Sequence, residues 1–168
     1  MKHIIIILFC CIFGFGSFAQ TTPQKPVGKV SLYNPKANAQ EDINAAVRKA
    51  KANNKHVLVQ IGGDWCIWCK RLNAFITNND ILNSTLHTDY EVVHVNYSPE
   101  NKNLELLSKW HNPHRLGFPV IVILDENGQY LHTQNTGLLE KGNGYDESKL
   151  ADFFKNWSYQ SIHSTTNK

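Results

Sequence analysis

The segment HVLVQIGGDWCIWCK, residues 56–70, carries the most informative pattern in the sequence. Its first part is β-branched and mostly apolar and ends at two glycines, which predicts a buried strand over His56–Ile61. Two cysteines follow at once, separated by two residues, and apolar residues then recur at helical spacing: Leu72, Phe75 and Ile76. We therefore expect the cysteine pair at the turn where a central strand passes into a helix.

Such a turn favours reactive cysteines. Cys66 is expected at the start of the helix, where free backbone N–H groups and the helix dipole stabilise a negatively charged sulfur. A lowered thiol pKa makes Cys66 a thiolate near neutral pH, and the thiolate is the form that attacks disulfides. Cys69, one turn later, is then close enough to attack the resulting mixed disulfide. Zinc sites also use this cysteine spacing, so the spacing by itself leaves metal binding open.

The rest of the chain predicts a single α/β domain in which strands and helices alternate. Further strands are expected over Lys29–Leu32, Glu91–Tyr97, Val120–Leu124 and Gln129–Gln134. Further helices are expected from Asn34-Pro35 to Asn53-Asn54, around Ile81 to Leu86, from Leu104 to Trp110 before Pro113, and from Asp146 to Trp157. The order implies a central mixed β-sheet, parallel through its crossovers and antiparallel at a late hairpin, with helices on both faces.

The two ends of the chain differ from this domain. Residues 1–19 combine Lys2, a short apolar run and a small-residue end, which predicts a secretory signal peptide cleaved near Ala19-Gln20. The apolar run is too short to favour a retained anchor, and bulky Phe9 before Cys10 and Cys11 disfavours lipidation. We expect a flexible arm over residues 20–28, the folded domain over residues 29–160, and a tail over residues 161–168. This predicts a periplasmic or secreted protein without stable membrane insertion.

Composition narrows the function further. The formal net charge of +3, from 17 basic and 14 acidic residues, is too small and too dispersed to predict nucleic-acid binding. Signal cleavage would remove Cys10 and Cys11 and leave only the close-set pair of cysteines. A bridge over so short a loop removes little chain entropy, so a purely stabilising role is a poor explanation for the pair. In an exported protein, a single close-set pair of this kind indicates a chemical role for the cysteines rather than a stabilising one.

These features together resemble the thioredoxin superfamily over roughly residues 29–159. Trp65-Cys66-Ile67-Trp68-Cys69-Lys70 matches the WCxxCK motif of that superfamily, and Pro119 in GFPVIVILDENG matches its cis-proline. The resemblance is greatest to exported bacterial proteins of the thiol:disulfide interchange type. It implies a thioredoxin-like fold, a cis peptide bond at Pro119, and a Cys66–Cys69 disulfide that forms and opens during turnover.

The same resemblance implies roles for individual residues. Cys66 would be the attacking thiol and Cys69 the resolving thiol, while Pro119 would shape the edge that binds substrate. The aromatic residues Trp65, Trp68 and Phe118 would form a substrate-binding surface for disulfide-containing or thiol-containing polypeptides. No separate cofactor is implied, but a membrane or periplasmic partner must exchange electrons with the pair.

The sequence departs from the superfamily at two places. Gln60 stands where thioredoxins usually carry a buried aspartate that assists proton transfer, and a glutamine cannot take a proton. His94 in the next strand is a candidate replacement base, because an imidazole can titrate near neutral pH, although it is also compatible with an ordinary strand position. Ile67-Trp68 replaces the Gly-Pro between the cysteines of general thioredoxins, which puts a general reductase role in doubt.

Two other functions remain open from the sequence. His111 and His114 precede Pro119 closely, so they are candidates to join Cys66 and Cys69 as ligands of zinc or copper. The missing acid at residue 60 also permits a binding module without redox turnover, although the presence of both cysteines argues against it.

Overall fold

The structure, a computed structural model, describes Ser31–Ser164. The expected signal peptide, the arm over residues 20–28 and the last four residues of the expected tail lie outside the described residues. Along the described part, no helix is long and apolar enough to cross a lipid bilayer.

Helices and strands alternate through most of this region. The helices are α1 (Ala39–Asn53), α2 (Ile67–Thr77), α3 (Asp80–Asp89), α4 (Leu104–Ser108), α5 (Glu147–Asn156) and α6 (Tyr159–Ser164). The strands are β1 (His56–Gly62), β2 (Tyr90–Asn96), β3 (Val120–Leu124), β4 (Tyr130–Asn135), β5 (Glu140–Lys141) and β6 (Gly144–Tyr145). Short 3₁₀ turns occupy Pro113–Leu116 and Thr136–Leu139.

The central sheet has four strands in the order β2-β1-β3-β4. Strand β1 pairs parallel with β2, and β3 runs antiparallel to both β1 and β4. The sheet is therefore mixed, as the sequence predicts. Its apolar strands β1 and β3 lie in the middle, and both are buried along their length, which explains why their sequences are nearly continuous hydrophobic runs.

Helices cover both faces of the sheet, which also confirms the prediction. On one face, α1 and α4 pack on alternate residues of β1 and β3 through a cluster that includes Ile43, Ala50, Val59, Val122 and Leu107. On the other face, α2, α3 and α5 pack on the intervening residues through Leu72, Leu82, Phe154, Leu58 and Ile123. The alternation of side chains along each strand divides the core into these two layers.

The first expected helix start is wrong, and the described part of the first expected strand is not in a strand. Ser31 and Leu32 are not in a strand, because the Leu32 N–H donates to the Asp64 carboxylate at 3.0 Å instead of to a neighbouring strand. Residues 29 and 30 lie outside the described residues. Asn34 closes a turn by accepting from the Ala37 N–H at 3.1 Å, and α1 begins later, where Asn38 accepts from the Glu41 N–H.

Two later helices also end differently from the prediction. Helix α4 ends at Ser108 rather than near Trp110, because His111 and Asn112 adopt left-handed backbone angles that a helix cannot contain. Pro113 then opens a 3₁₀ turn. Asp146 is the N-cap of helix α5, as expected, and the helix ends at Asn156. Helix α6 then spans residue 160, where the sequence predicts the end of the folded domain.

Adjacent residues of α3 provide a test of this packing. Leu82 is fully buried between α3 and the sheet, whereas neighbouring Ile81 is 68% exposed. We expect Leu82→Ala to lower the free energy of unfolding by about 2–5 kcal/mol, because it removes buried methyl groups and leaves a cavity. The matched change Ile81→Ala should alter it by no more than about 0.5 kcal/mol. Denaturant unfolding of the oxidised proteins measures both, and equal losses at the two positions would contradict the packing described.

Candidate active site

The turn between β1 and α2 holds both cysteines. Cys66 is the N-cap of α2, and its Sγ accepts a hydrogen bond from the Cys69 backbone N–H at 3.1 Å. The first turn of α2 contains no acidic residue that would oppose a negative charge there. The Cys69 backbone N–H therefore faces Cys66 Sγ at the positive end of the helix dipole, an environment that favours negative charge on a sulfur.

Cys66 and Cys69 form a disulfide in the structure, with their Cα atoms 5.3 Å apart. Cys69 is completely buried, and Cys66 keeps 5% of its surface exposed. Cys66 also lies between two of the most exposed apolar side chains, Trp65 and Ile67. Of the two sulfur-bearing residues, Cys66 is therefore the one that solvent reaches.

The Phe118–Pro119 peptide bond is cis, as the resemblance implies. It directly precedes β3, and Phe118 packs against the cluster that contains both cysteines. Gly117, with φ of 93°, supplies the left-handed turn that leads into this bond. The Pro119 carbonyl accepts a hydrogen bond from the Thr136 hydroxyl, which joins this turn to the segment after β4.

The three aromatic residues predicted to bind substrate have different environments. Trp65 is 58% exposed, donates from Nε1 to the Tyr97 carbonyl at 2.8 Å and meets Phe118 edge to face. Phe118 is half-buried beneath it. Trp68 is half-buried on the other side, against Tyr145 and under the Arg71 guanidinium. Trp65 and Phe118 therefore form an apolar rim beside Cys66, together with exposed Ile67, while Trp68 mainly packs inward.

Tyr33 is a buried residue of the site that the sequence analysis did not identify. Its hydroxyl accepts a hydrogen bond from Gln60 Nε2 at 2.7 Å, and its ring packs with both cysteines. A Cβ on Gly62 would stand 2.5 Å from Cys69 Sγ and 2.8 Å from the Tyr33 hydroxyl. The sulfur and the hydroxyl therefore both approach the bare backbone of Gly62 more closely than a side chain there would allow. Burial raises the pKa of Tyr33 far above its usual value, so this hydroxyl stays protonated.

Asp64 holds Tyr33 in place. Its carboxylate accepts from the backbone N–H groups of Leu32 at 3.0 Å and Tyr33 at 3.3 Å, and from the Ser31 hydroxyl. Partial desolvation opposes ionisation, but these hydrogen bonds outweigh it and hold the pKa of Asp64 below its usual value. Asp64 therefore remains charged at neutral pH and binds residues 31–33, the N-terminal segment of the described chain, to the loop that carries the cysteines.

Gln60 and His94 lie next to each other on β1 and β2, and both line a cavity between the sheet and helices α2 and α3. The His94 ring meets the Tyr33 ring edge to face, with centroids 5.4 Å apart. Burial lowers the pKa of His94, so its imidazole is neutral at pH 7. Gln60 thus contacts Tyr33 directly, and His94 reaches the site through the Tyr33 ring.

The two histidines considered as metal ligands beside the cysteines have aromatic partners instead. The His111 ring meets Tyr130 edge to face, and the His114 ring stacks on Tyr97 with centroids 5.3 Å apart. Within Ser31–Ser164, no cluster of potential metal ligands combines either histidine with Cys66 and Cys69.

Comparison with known proteins agrees with this architecture. No curated protein sequence matches the chain. A solved disulphide isomerase from Xylella fastidiosa Temecula1 is 25% identical, with a TM-score of 0.64 over 74% of this chain and 94% of that one. A thioredoxin from Thermus thermophilus is 17% identical, with a TM-score of 0.52 over 73% of this chain and 88% of that one, and shares the fold.

A family model described as thioredoxin-like matches residues 38–126. The matched region is more than half of the chain and runs from α1 through the cysteine pair to the end of β3. It therefore contains the β1–α2 turn, the cis-proline and three strands of the sheet described above. By this match, together with the fold and the cysteine pair that the structure shows, the chain belongs to the thioredoxin-like family.

Proposed function

We propose that this protein is an exported thiol:disulfide oxidoreductase that acts on extracytoplasmic polypeptides. One observation carries the proposal: the Cys66–Cys69 disulfide lies at the N-terminus of α2, beside a cis-proline and an exposed apolar rim. Thioredoxin-like architecture with such a pair supports thiol-disulfide exchange, and the rim supports a polypeptide as the substrate rather than a small thiol.

The reaction consists of two exchanges. The Cys66 thiolate attacks one sulfur of the substrate disulfide, so a Cys66–substrate disulfide forms and the other substrate sulfur leaves as a thiolate. The Cys69 thiolate then attacks Cys66 Sγ, which forms the Cys66–Cys69 disulfide and releases the second substrate sulfur. Two electrons pass from the protein dithiol to the substrate, and the same steps reversed oxidise a substrate dithiol.

The rim formed by Trp65, Ile67 and Phe118 would hold the substrate during the first exchange. Exposed aromatic and aliphatic side chains bind unfolded polypeptides by burying apolar surface, which requires little sequence specificity. Pro119 has no backbone N–H and lies at the start of β3, where a bound segment can align beside the disulfide. Trp68 would contribute mainly by supporting this surface from inside.

Tyr33 and Gln60 would control the second exchange. The Tyr33 oxygen accepts from Gln60 and keeps its own proton, and rotation of the hydroxyl would direct that proton towards Cys69 Sγ once the disulfide is reduced. A hydroxyl donor stabilises a thiolate over a thiol and so lowers the thiol pKa of Cys69. In this arrangement a neutral tyrosine favours the charged sulfur. His94, whose ring meets the Tyr33 ring edge to face, is the proposed proton acceptor.

Net reduction or net oxidation of a substrate needs an electron-exchange partner, because each such reaction leaves the pair in the oxidation state opposite to its starting state. A membrane or periplasmic protein would supply this exchange after cleavage of the signal peptide near Ala19-Gln20. The name of the Xylella fastidiosa protein, a disulphide isomerase, supports rearrangement of substrate disulfides as one outcome of the same chemistry. An isomerase would operate from the reduced form of the pair.

Substitution of the cysteines tests the proposed function most simply. We expect Cys66→Ser to abolish catalysed reduction of insulin disulfides with dithiothreitol as the electron donor, because the attacking sulfur is lost. Cys69→Ser should instead trap Cys66–substrate mixed disulfides, which non-reducing electrophoresis detects. Full insulin reduction by Cys66→Ser would refute the assignment of the nucleophile and favour a binding module without redox turnover.

Removal of one hydroxyl tests the role of Tyr33. In a Cys66→Ser background, we expect Tyr33→Phe to raise the pKa of the Cys69 thiol by up to about one unit, since a net hydrogen bond is worth about 0.5–1.5 kcal/mol. The pH dependence of Cys69 alkylation measures this pKa.

The control for that experiment is Tyr90→Phe. Tyr90 is also buried and donates to the Phe154 carbonyl at 2.6 Å, but it packs in the cluster of α3 and α5 away from the cysteines. Tyr90→Phe should lower stability without moving the pKa of Cys69. A Cys69 pKa that is unchanged by Tyr33→Phe would show that the hydroxyl does not stabilise the sulfur.

The pH dependence of turnover tests His94. Burial places its pKa below the ordinary value of 6.5, so protonation, and with it loss of the base, occurs below that pH. We expect the rate of insulin reduction to fall as pH drops through this lowered pKa, and His94→Gln to remove that acid limb. Stopped-flow rates from pH 4.5 to 8 give the profile. An acid limb that persists unchanged in His94→Gln would end the proposal of a base at this position.

A further inference from the structure

Three potential metal ligands meet at the end of the molecule opposite the cysteines. His56 begins β1, Glu126 lies in the turn between β3 and β4, and His163 is on α6. One ligand atom of each residue lies within 4.8 Å of the others. His56 and Gly62 bound the same strand, so this cluster is roughly 20 Å from the cysteine turn at about 3.3 Å per residue.

Hydrogen bonds set the same tautomer in both histidines. His56 Nδ1 lies 2.7 Å from the Trp157 carbonyl, and His163 Nδ1 lies 2.9 Å from the Tyr159 carbonyl. A carbonyl oxygen only accepts, so each Nδ1 must carry the proton and donate it. Each neutral ring therefore presents the lone pair of Nε2, and backbone carbonyls on Nδ1–H are the usual outer partners of metal-binding histidines.

Polar atoms at the centre of the cluster have no hydrogen-bond partner in the part of the chain that the structure describes. His56 Nε2 and Glu126 Oε2 are both buried without one, and the His56 side chain has no exposed surface at all. They stand 3.7 Å apart, and His163 Nε2 stands 3.8 Å from Glu126 Oε1. These separations are too long for hydrogen bonds. Buried polar atoms left in this way destabilise a fold unless something else satisfies them.

The spacing fits an ion instead. Ligand atoms about 2.0–2.1 Å from a tetrahedral zinc ion stand about 3.4 Å from one another, so small side-chain movements would close the observed gaps. Two imidazole nitrogens and one carboxylate oxygen suit zinc better than calcium or magnesium, which prefer oxygen ligands, or Cu(I), which prefers sulfur. The carboxylate also offsets part of the charge of the ion.

Neighbouring side chains hold the three ligands in position. Asn127 Nδ2 donates to Glu126 Oε1 at 2.9 Å, and the Tyr159 ring stacks on the His163 ring with centroids 3.9 Å apart. The same Tyr159 ring meets His56 edge to face. Because the His163 side chain is 42% exposed, the cluster opens to solvent on that side, where a fourth ligand such as water can bind.

We propose that His56, Glu126 and His163 form a zinc-binding site with an open fourth position. A zinc ion there would join α6 to the start of β1 and to the β3–β4 turn, three segments that are far apart in the sequence. This site is separate from the redox pair. Zinc binding there is therefore a property that the proposed oxidoreductase function does not predict.

Zinc titration of the oxidised, tag-free protein tests the proposal. We expect one equivalent of Zn²⁺ to bind at micromolar concentration or below and to raise Tm. Glu126→Gln and His163→Ala, which alter half-buried rather than core ligands, should each weaken binding by more than about 100-fold, since loss of an outer-shell partner alone typically costs 10–100-fold. The matched control is His87→Ala, which removes an exposed histidine of α3 and should leave binding unchanged.

A second pair of measurements separates this site from the cysteines. The double variant Cys66→Ser, Cys69→Ser should bind Zn²⁺ as tightly as the oxidised protein and should still show the rise in Tm. The proposal is overturned by absence of zinc binding to the oxidised protein, by unchanged binding in Glu126→Gln and His163→Ala, or by binding that appears only when the cysteines are reduced.

Discussion

The site depends on the absence of a side chain at Gly62. Cys69 Sγ and the Tyr33 hydroxyl both lie where a Cβ of residue 62 would stand, so any other residue would have to displace one of them. This close approach lets the last residue of a buried strand support the resolving sulfur directly. It also lets Tyr33 reach Cys69 and Gln60 at once, so β1, the cysteine turn and the N-terminal segment form one packed unit.

Much of the fold follows from local patterns. The apolar runs of β1 and β3 and the helical spacing after Cys69 predict the central strands and α2, because burial and periodicity are properties of neighbouring residues. The cis-proline follows from the family resemblance, in which Pro119 of GFPVIVILDENG matches the cis-proline of the superfamily. The start of α1 is less predictable, since Asn34-Pro35 and Asn38 are both reasonable helix starts. Hydrogen bonds in the folded chain decide between them: Asn34 closes a turn with Ala37, and Asn38 accepts from the Glu41 N–H and caps α1.

The buried, hydrogen-bonded pair of Tyr33 and Gln60 could not be predicted from such patterns. Tyr33 precedes any regular element, and its partner Gln60 is distant in sequence, so nothing local marks it as a neighbour of Cys69. Gln60 itself is identified only because it occupies the position of the buried aspartate that thioredoxins usually carry. The cluster of His56, Glu126 and His163 is hidden for the same reason, since a strand start, a turn and a terminal helix meet only in the folded chain. Strand β1 thus connects two chemically different ends: paired sulfurs at one, and imidazoles with a carboxylate at the other.

The reduction potential of the Cys66–Cys69 pair tests the central claim most directly. Equilibration in glutathione buffers with thiol counting should show a reversible two-electron transition between dithiol and intramolecular disulfide. The account predicts a potential within the range of thiol:disulfide oxidoreductases, roughly −270 to −120 mV, with the reducing end indicating a reductase or isomerase and the oxidising end an oxidant. Two free thiols that persist in fully oxidising buffer, or a disulfide that never opens within that range, would contradict it.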